Sequence, residues 1–229
     1  MSTSPPPTPP KTNVYIDGFN LYHGCFDDHS GRLHWRQYRW LDLATFCANI
    51  FPDHQINRIR YFTALVNPRP SNPDPRLRQL AYLRALQTIP YLTVHEGRFA
   101  THTKKRICAD PLAKTPTPLL PIQEAHVIEN EEKGSDVNLA SHLLVDGFKQ
   151  DYEVAIVVSN DSDLAEPIRL VRSELGLKVG LLNPRKTVAA DLKGIADFYK
   201  NVREWALRDA QFPAIMTDAN GTITKPATW

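Results

Sequence analysis

Asp161 and Asp163 lie in the run Ser159-Asn160-Asp161-Ser162-Asp163-Leu164, immediately after the apolar stretch Val154-Ala155-Ile156-Val157-Val158. Asp17 closes a second strand-like run, Asn13-Val14-Tyr15-Ile16, and Gly18 and Asn20 follow it closely. Asp136 follows Ser135 and precedes Leu139, Ala140 and Leu143 at helical spacing, so it continues an apolar helix stripe at its first turn. Carboxylates gathered in one place disfavour each other's ionisation, and a hard divalent cation with oxygen ligands relieves that repulsion. These residue types therefore point to carboxylate coordination of Mg²⁺ or Mn²⁺. Asn20, Ser159 and Asn160 add neutral polar groups able to position a carboxylate, a phosphate or a water.

The elements that must bring these acids together can be read from periodicity. Val154–Val158 is short, continuous and β-branched, the pattern of a strand buried on both faces. Acids just past such a strand sit where open α/β sheets place their ligands. The sequence predicts strands over Asn13–Asp17, Ile56–Val66, Tyr91–Phe99, Ala125–Asn130, Glu153–Ser159 and Lys178–Leu182. Helices are expected over Leu41–Ile50, Asp74–Ile89, Ser135–Gln150 and Ser162–Leu175, with Ser135 as an N-cap and Leu77, Leu80, Leu83 and Leu86 on the stripe of the second. This alternation predicts a mainly parallel sheet with helices on both faces. Lys104–Pro121, with four prolines, reads as a loop or excursion near the active edge. The expected organisation is a disordered Pro-rich leader over residues 1–12, one domain over 13–208 with the excursion around 104–121, and a tail over 209–229. An Asn220-Gly221 turn signal suggests a hairpin in that tail.

Composition narrows the class. The chain has 229 residues, enough for one sizeable core, and 42% of them are hydrophobic, which excludes a disordered chain. Three dispersed cysteines, with no Cys-x-x-Cys pair, argue against a zinc ribbon or a disulfide framework and suit a cytoplasmic protein. No apolar run approaches the ~20 residues that span a bilayer. P-loop, dinucleotide-binding and serine-elbow motifs are absent, and Phe19 stands where a haloacid-dehalogenase-type phosphatase needs a second acid. Net charge is only +2, so any polyanion track must be local. Arg98, Lys104, Lys105 and Arg106, with Lys133 beside the acids, are its candidates. Tyr22, Trp35, Tyr38 and Trp40 are candidates for base stacking, with packing as the competing role.

Three runs taken together resemble a known family. Val14-Tyr15-Ile16-Asp17-Gly18-Phe19-Asn20-Leu21, Glu132-Lys133-Gly134-Ser135-Asp136-Val137-Asn138-Leu139-Ala140 and Val158-Ser159-Asn160-Asp161-Ser162-Asp163-Leu164 look like the three signatures of NYN domains, members of the PIN-like nuclease superfamily. The resemblance covers roughly Asn13 to Tyr199. It implies a PIN-like three-layer α/β/α sandwich and metal-dependent cleavage of RNA. It carries metal-binding and catalytic roles onto Asp17, Asp136, Asp161 and Asp163, with Asn20 in support. The partner it implies is RNA, single-stranded or structured, with no membrane; a homo-oligomeric state is left open. The alternative is an RNA-binding or regulatory relative with little or no turnover.

Overall fold

The structure is a computed structural model and describes residues 8–27, 30–67 and 74–227. The chain opens with strand β1 (Lys11–Asp17) and helix α1 (Gly18–Cys25). Helix α2 (Leu43–Ile50) follows, opened by Asp42, whose carboxylate accepts from the amides of Ala44 and Thr45. Then come β2 (Gln55–Thr63), α3 (Asp74–Leu86), β3 (Leu92–Glu96), β4 (Arg98–Ile107) and β5 (Glu124–Lys133). The second half holds α4 (Ser135–Phe148), β6 (Val154–Val158), α5 (Ala165–Leu175), β7 (Lys178–Asn183), β8 (Phe198–Asn201) and α6 (Glu204–Arg208). β9 (Ile215–Asp218) and β10 (Gly221–Thr224) form the hairpin that the Asn220-Gly221 signal suggests, but Asp218 pairs with Gly221, so the two turn residues are Ala219 and Asn220.

Six strands form one sheet in the order β3-β2-β1-β6-β7-β8, and every neighbouring pair is parallel. Period-two alternation divides the side chains between two layers. Val14, Ile16, Ile156 and Val158 join Leu21, Phe46, Leu86 and Leu207 on the face covered by α1, α2, α3 and α6. Tyr15, Ala155 and Val157 join Leu139, Leu143, Ile168 and Val171 on the face covered by α4 and α5. The result is a three-layer α/β/α sandwich.

Several boundaries differ from the sequence reading, each for a physical reason. Residues 1–7 of the expected leader lie outside the described residues. Lys11 and Thr12, also assigned to it, belong to β1: the amide of Lys11 donates to Glu153 at 2.7 Å and Thr12 is fully buried, contacts that polar residue types conceal. The strand expected over Tyr91–Phe99 divides at Gly97. A Cβ there would lie 2.6 Å from Glu132 Oε1 and 2.7 Å from the Lys133 carbonyl, so a glycine lets the chain leave the sheet. Beyond it, Lys104–Ile107 are not loop but the end of β4, paired antiparallel with β5 along its whole length in a separate ribbon. The sixth place in the main sheet goes to β8, whose Lys200 and Asn201 give no apolar run to read. Leu77 and Leu80 are exposed, because α3 buries Tyr82, Leu83, Ala85 and Leu86 instead. Gly134, at φ 101°, is the N-cap of α4, and Ser135 is the residue after it.

Candidate functional site

The sheet order reverses between β1 and β6. β2 and β3 lie to one side of β1, while β6, β7 and β8 lie to the other. Ligands in open α/β sheets bind in the crevice beyond the carboxyl ends of the strands at such a point. In this chain β1 ends at Asp17, and Ile16 pairs with Val158, so Asp17 lies beside Ser159 and the run to Asp163.

Asp17 is 4% exposed and fixed on both oxygens. Its Oδ1 accepts from the amide of Asn20 at 2.9 Å, making Asp17 itself the N-cap of α1. Its Oδ2 accepts from the Ser159 hydroxyl at 2.9 Å. Burial pushes its carboxyl up; the hydrogen bonds from Asn20 and Ser159 oppose the shift and the charge of Asp161 adds to it. Ser159, fully buried, also accepts from the amide of Asp161 at 3.1 Å. Asn160 ties three segments together. Its amide donates to Asn20 Oδ1 at 3.2 Å, its Oδ1 accepts from the amide of Ala189 at 2.8 Å, and its Nδ2 donates to the Thr187 carbonyl at 3.1 Å. Asp161 caps the 3₁₀ turn Ser162–Leu164 by accepting from the amide of Asp163 at 3.0 Å. Asp163 is exposed on that turn.

Asp136 reaches the same place from the first turn of α4. Its carboxyl is pushed up to about 6, first by burial and then by the charges of Asp17, Asp161, Glu132 and Asp163. All four sequence-predicted acids therefore share one electrostatic neighbourhood. They are not a closed cage: among the described residues, no three His, Cys, Asp or Glu side chains are grouped so that they could hold one metal ion. The set fits a hard dication in donor type and in mutual repulsion. Asp17 is already oriented by Asn20 and Ser159, whereas Asp136, Asp161 and Asp163 retain exposed surface from which to converge.

The basic candidates fare unevenly. Lys104 pairs with Glu129 at 3.0 Å and with Glu131 at 3.6 Å, Lys105 pairs with Glu124, and Arg106 pairs with Glu129 at 2.7 Å. Lys133 pairs with Glu131 at 2.6 Å. The ribbon thus balances its own charge and leaves Arg98, at its base, without an ion pair among the described residues. Sequence reasoning missed Arg185 and Lys186, which follow the carboxyl end of β7 next to Thr187 and also lack an ion pair among the described residues. The signal was the one used for the acids: polar residues just past a buried strand. It also missed Glu132, whose carboxylate accepts from the Ser135 amide at 3.1 Å and hydroxyl at 2.8 Å and adds charge beside Asp136. Of the aromatic candidates, Trp35 and Trp40 are core residues and Tyr38 packs against that core, while Tyr22 is 37% exposed.

A family model described as the NYN domain matches residues 11–201. A curated relative from Pseudomonas putida, named 6-hydroxy-3-succinoylpyridine 3-monooxygenase, is 27% identical over 96% of this chain and 76% of its own length. The crystal structure of a Vibrio parahaemolyticus protein of unknown function superposes with a TM-score of 0.51 at 16% identity, over 89% of this chain and 97% of that one. The last likeness concerns the fold alone.

Proposed function

This chain belongs to the NYN domain family, whose members are nuclease-like, and from that membership we propose that it is a divalent-metal-dependent ribonuclease hydrolysing RNA phosphodiester bonds. The observation that carries the reading is the gathering of four acids at the switch point: Asp17 lies beside the end of β6, and Asp136 is close enough to feel the charges of Asp17, Asp161 and Asp163. Asp17, Asp136, Asp161 and Asp163 would hold Mg²⁺ or Mn²⁺, which would supply activation of water and neutralisation of charge on the phosphate. The protein's own groups do the positioning. Ser159 and the amide of Asn20 hold Asp17 in one rotamer. Asn160 ties the loop after β7, at Thr187 and Ala189, to Asn20 of α1, so the segment that carries Arg185 and Lys186 is anchored to the element that Asp17 caps. Those cations and Arg98 have no ion pair among the described residues, and contacts from them to a phosphate backbone would give affinity without base selectivity.

The test is incubation with mixed RNA, with and without chelator. The ribonuclease reading expects fragments that chelator abolishes and Mn²⁺ restores. An RNA-binding protein without turnover would retain RNA and leave it intact.

A second reading rests on the Pseudomonas putida relative, whose name assigns it oxygenation of a substituted pyridine. Carried to this chain, it requires O₂ and a two-electron reductant, and it expects a hydroxylated ring with RNA left whole. The two readings separate on product: RNA fragments without oxygen consumption, or oxygen consumption without fragments.

A further inference from the structure

We propose that the cavity between α1, the carboxyl end of β2 and α3 is a binding site for a planar aromatic ring that carries an anionic group. The cavity has a volume of about 220 Å³. An apolar cavity of ~150 Å³ is known to take up benzene, so this one accommodates a ring, and a longer substituent can extend from its open side. Its walls are aromatic: Tyr22 and Phe26 from α1 and its end, Tyr61 from β2, and Tyr82 from α3. Tyr61 and Tyr82 meet edge to face with centroids 6.3 Å apart, and the Tyr82 hydroxyl donates to the Leu41 carbonyl at 2.9 Å, so two walls are fixed before a ligand enters.

The anion follows from the charges. Among the described residues the lining contains Arg39 and Arg78 and no carboxylate. Arg39 donates to the Phe26 carbonyl at 2.8 Å and lies 5.2 Å from the Tyr22 ring centroid, but its buried Nε has no hydrogen-bond partner. Arg78 reaches Asp74 only at 4.0 Å. Burial holds the Arg39 guanidinium below its ordinary range; the charges of Arg36 and Arg78 add to this, and Tyr22 and Asp27 oppose it. Two neighbouring cations beside aromatic walls are matched by an anion joined to a ring. The cavity adjoins the acid cluster through Gly18, the residue after Asp17, and through Tyr61. Its own lining makes the contacts argued here, so the site stands whether or not that cluster cleaves RNA. Two sources share the chemistry: a nucleotide of a bound strand, or a free aromatic acid.

The experiment is calorimetric titration of the full chain, in chelator, with adenosine 5′-monophosphate and with benzoate, alongside their uncharged counterparts adenosine and benzamide. At least one anionic probe should bind saturably, and its uncharged counterpart about tenfold more weakly, the value of a hydrogen bond to a charged group. Arg78→Gln should lower that affinity by a similar factor, and Val66→Trp, which fills the cavity, should remove it, with the thermal melt of Arg78→Gln unchanged. Which probe binds identifies the source. No saturation by either anion up to ~10 mM, where binding free energy falls below the weakest specific range, would overturn the proposal. So would binding that survives both substitutions.

Discussion

The carboxyl of Asp136 is held at about 6 by burial first and by the neighbouring acids second. An acid whose folded pKa exceeds its unfolded value releases its proton less readily when folded. Its ionisation therefore lowers stability as pH rises from about 4 through 6. Asp136→Asn should raise the melting temperature of the metal-free protein at pH 7.5 and have no such effect at pH 4, read by thermal unfolding at both values. Gly18 is constrained differently. A Cβ there would stand 2.7 Å from Tyr61 Cζ and 2.8 Å from the Phe62 carbonyl. Gly18→Ala should cost about 1–3 kcal/mol, the range for overpacking, in denaturant unfolding. At this scale the acids were legible because each follows an apolar strand or heads an apolar helix stripe. The Asn20–Asn160 hydrogen bond was not, since a contact between residues so far apart in the chain leaves no local pattern.

Among the elements, the β4–β5 ribbon departs furthest from the sequence reading. Prolines after Lys104 suggested a loop, yet its glutamates sit on the strand opposite its cations and close a ladder. A cation already paired must give up its glutamate to meet a phosphate. Lys104, Lys105 and Arg106 replaced together by Ala should therefore leave the salt slope of RNA affinity nearly unchanged. Arg185 and Lys186 replaced by Ala should lower it by roughly 1.4, at ~0.7 per single-strand phosphate contact. Binding isotherms across a salt series read both. The packing of α4 on β2 and β3 makes a separate claim. Arg60 chelates buried Asp146 at 2.7 and 2.8 Å, and it also donates to His95 Nε2 at 3.1 Å. Burial, His142 and Arg60 push His95 down to about 4. The unfolded chain takes up that proton near 6.5 and the folded chain does not, so stability falls as pH drops from 6.5 toward 4. His95→Gln should flatten this acid slope in unfolding experiments from pH 7 to 4.

For the whole molecule, the alternation of strand and helix was enough to foresee a parallel sheet between two helical layers. Val154–Val158 and Val14–Ile16 are apolar on both faces, and only a sheet covered on both sides accounts for that. The strand order was not legible, because it depends on which edges pair, and Gly97 and β8 give only weak local signals. That order matters most, since it sets β1 beside β6 and so Asp17 beside Ser159 and Asp161. Among the described residues no helix is long and apolar enough to cross a membrane. The central claim is that the acids gathered by this topology cut RNA with the help of a divalent ion. It is tested most directly by cleavage of end-labelled RNA in Mn²⁺, comparing the wild-type chain with Asp17→Asn, Asp136→Asn and Asp161→Asn, with RNA affinity measured in parallel. The account predicts fragments from the wild type, loss of most cleavage in each variant, and little change in affinity. Undiminished cleavage by the Asp161→Asn chain, or no Mn²⁺-dependent cleavage by the wild type, would contradict it.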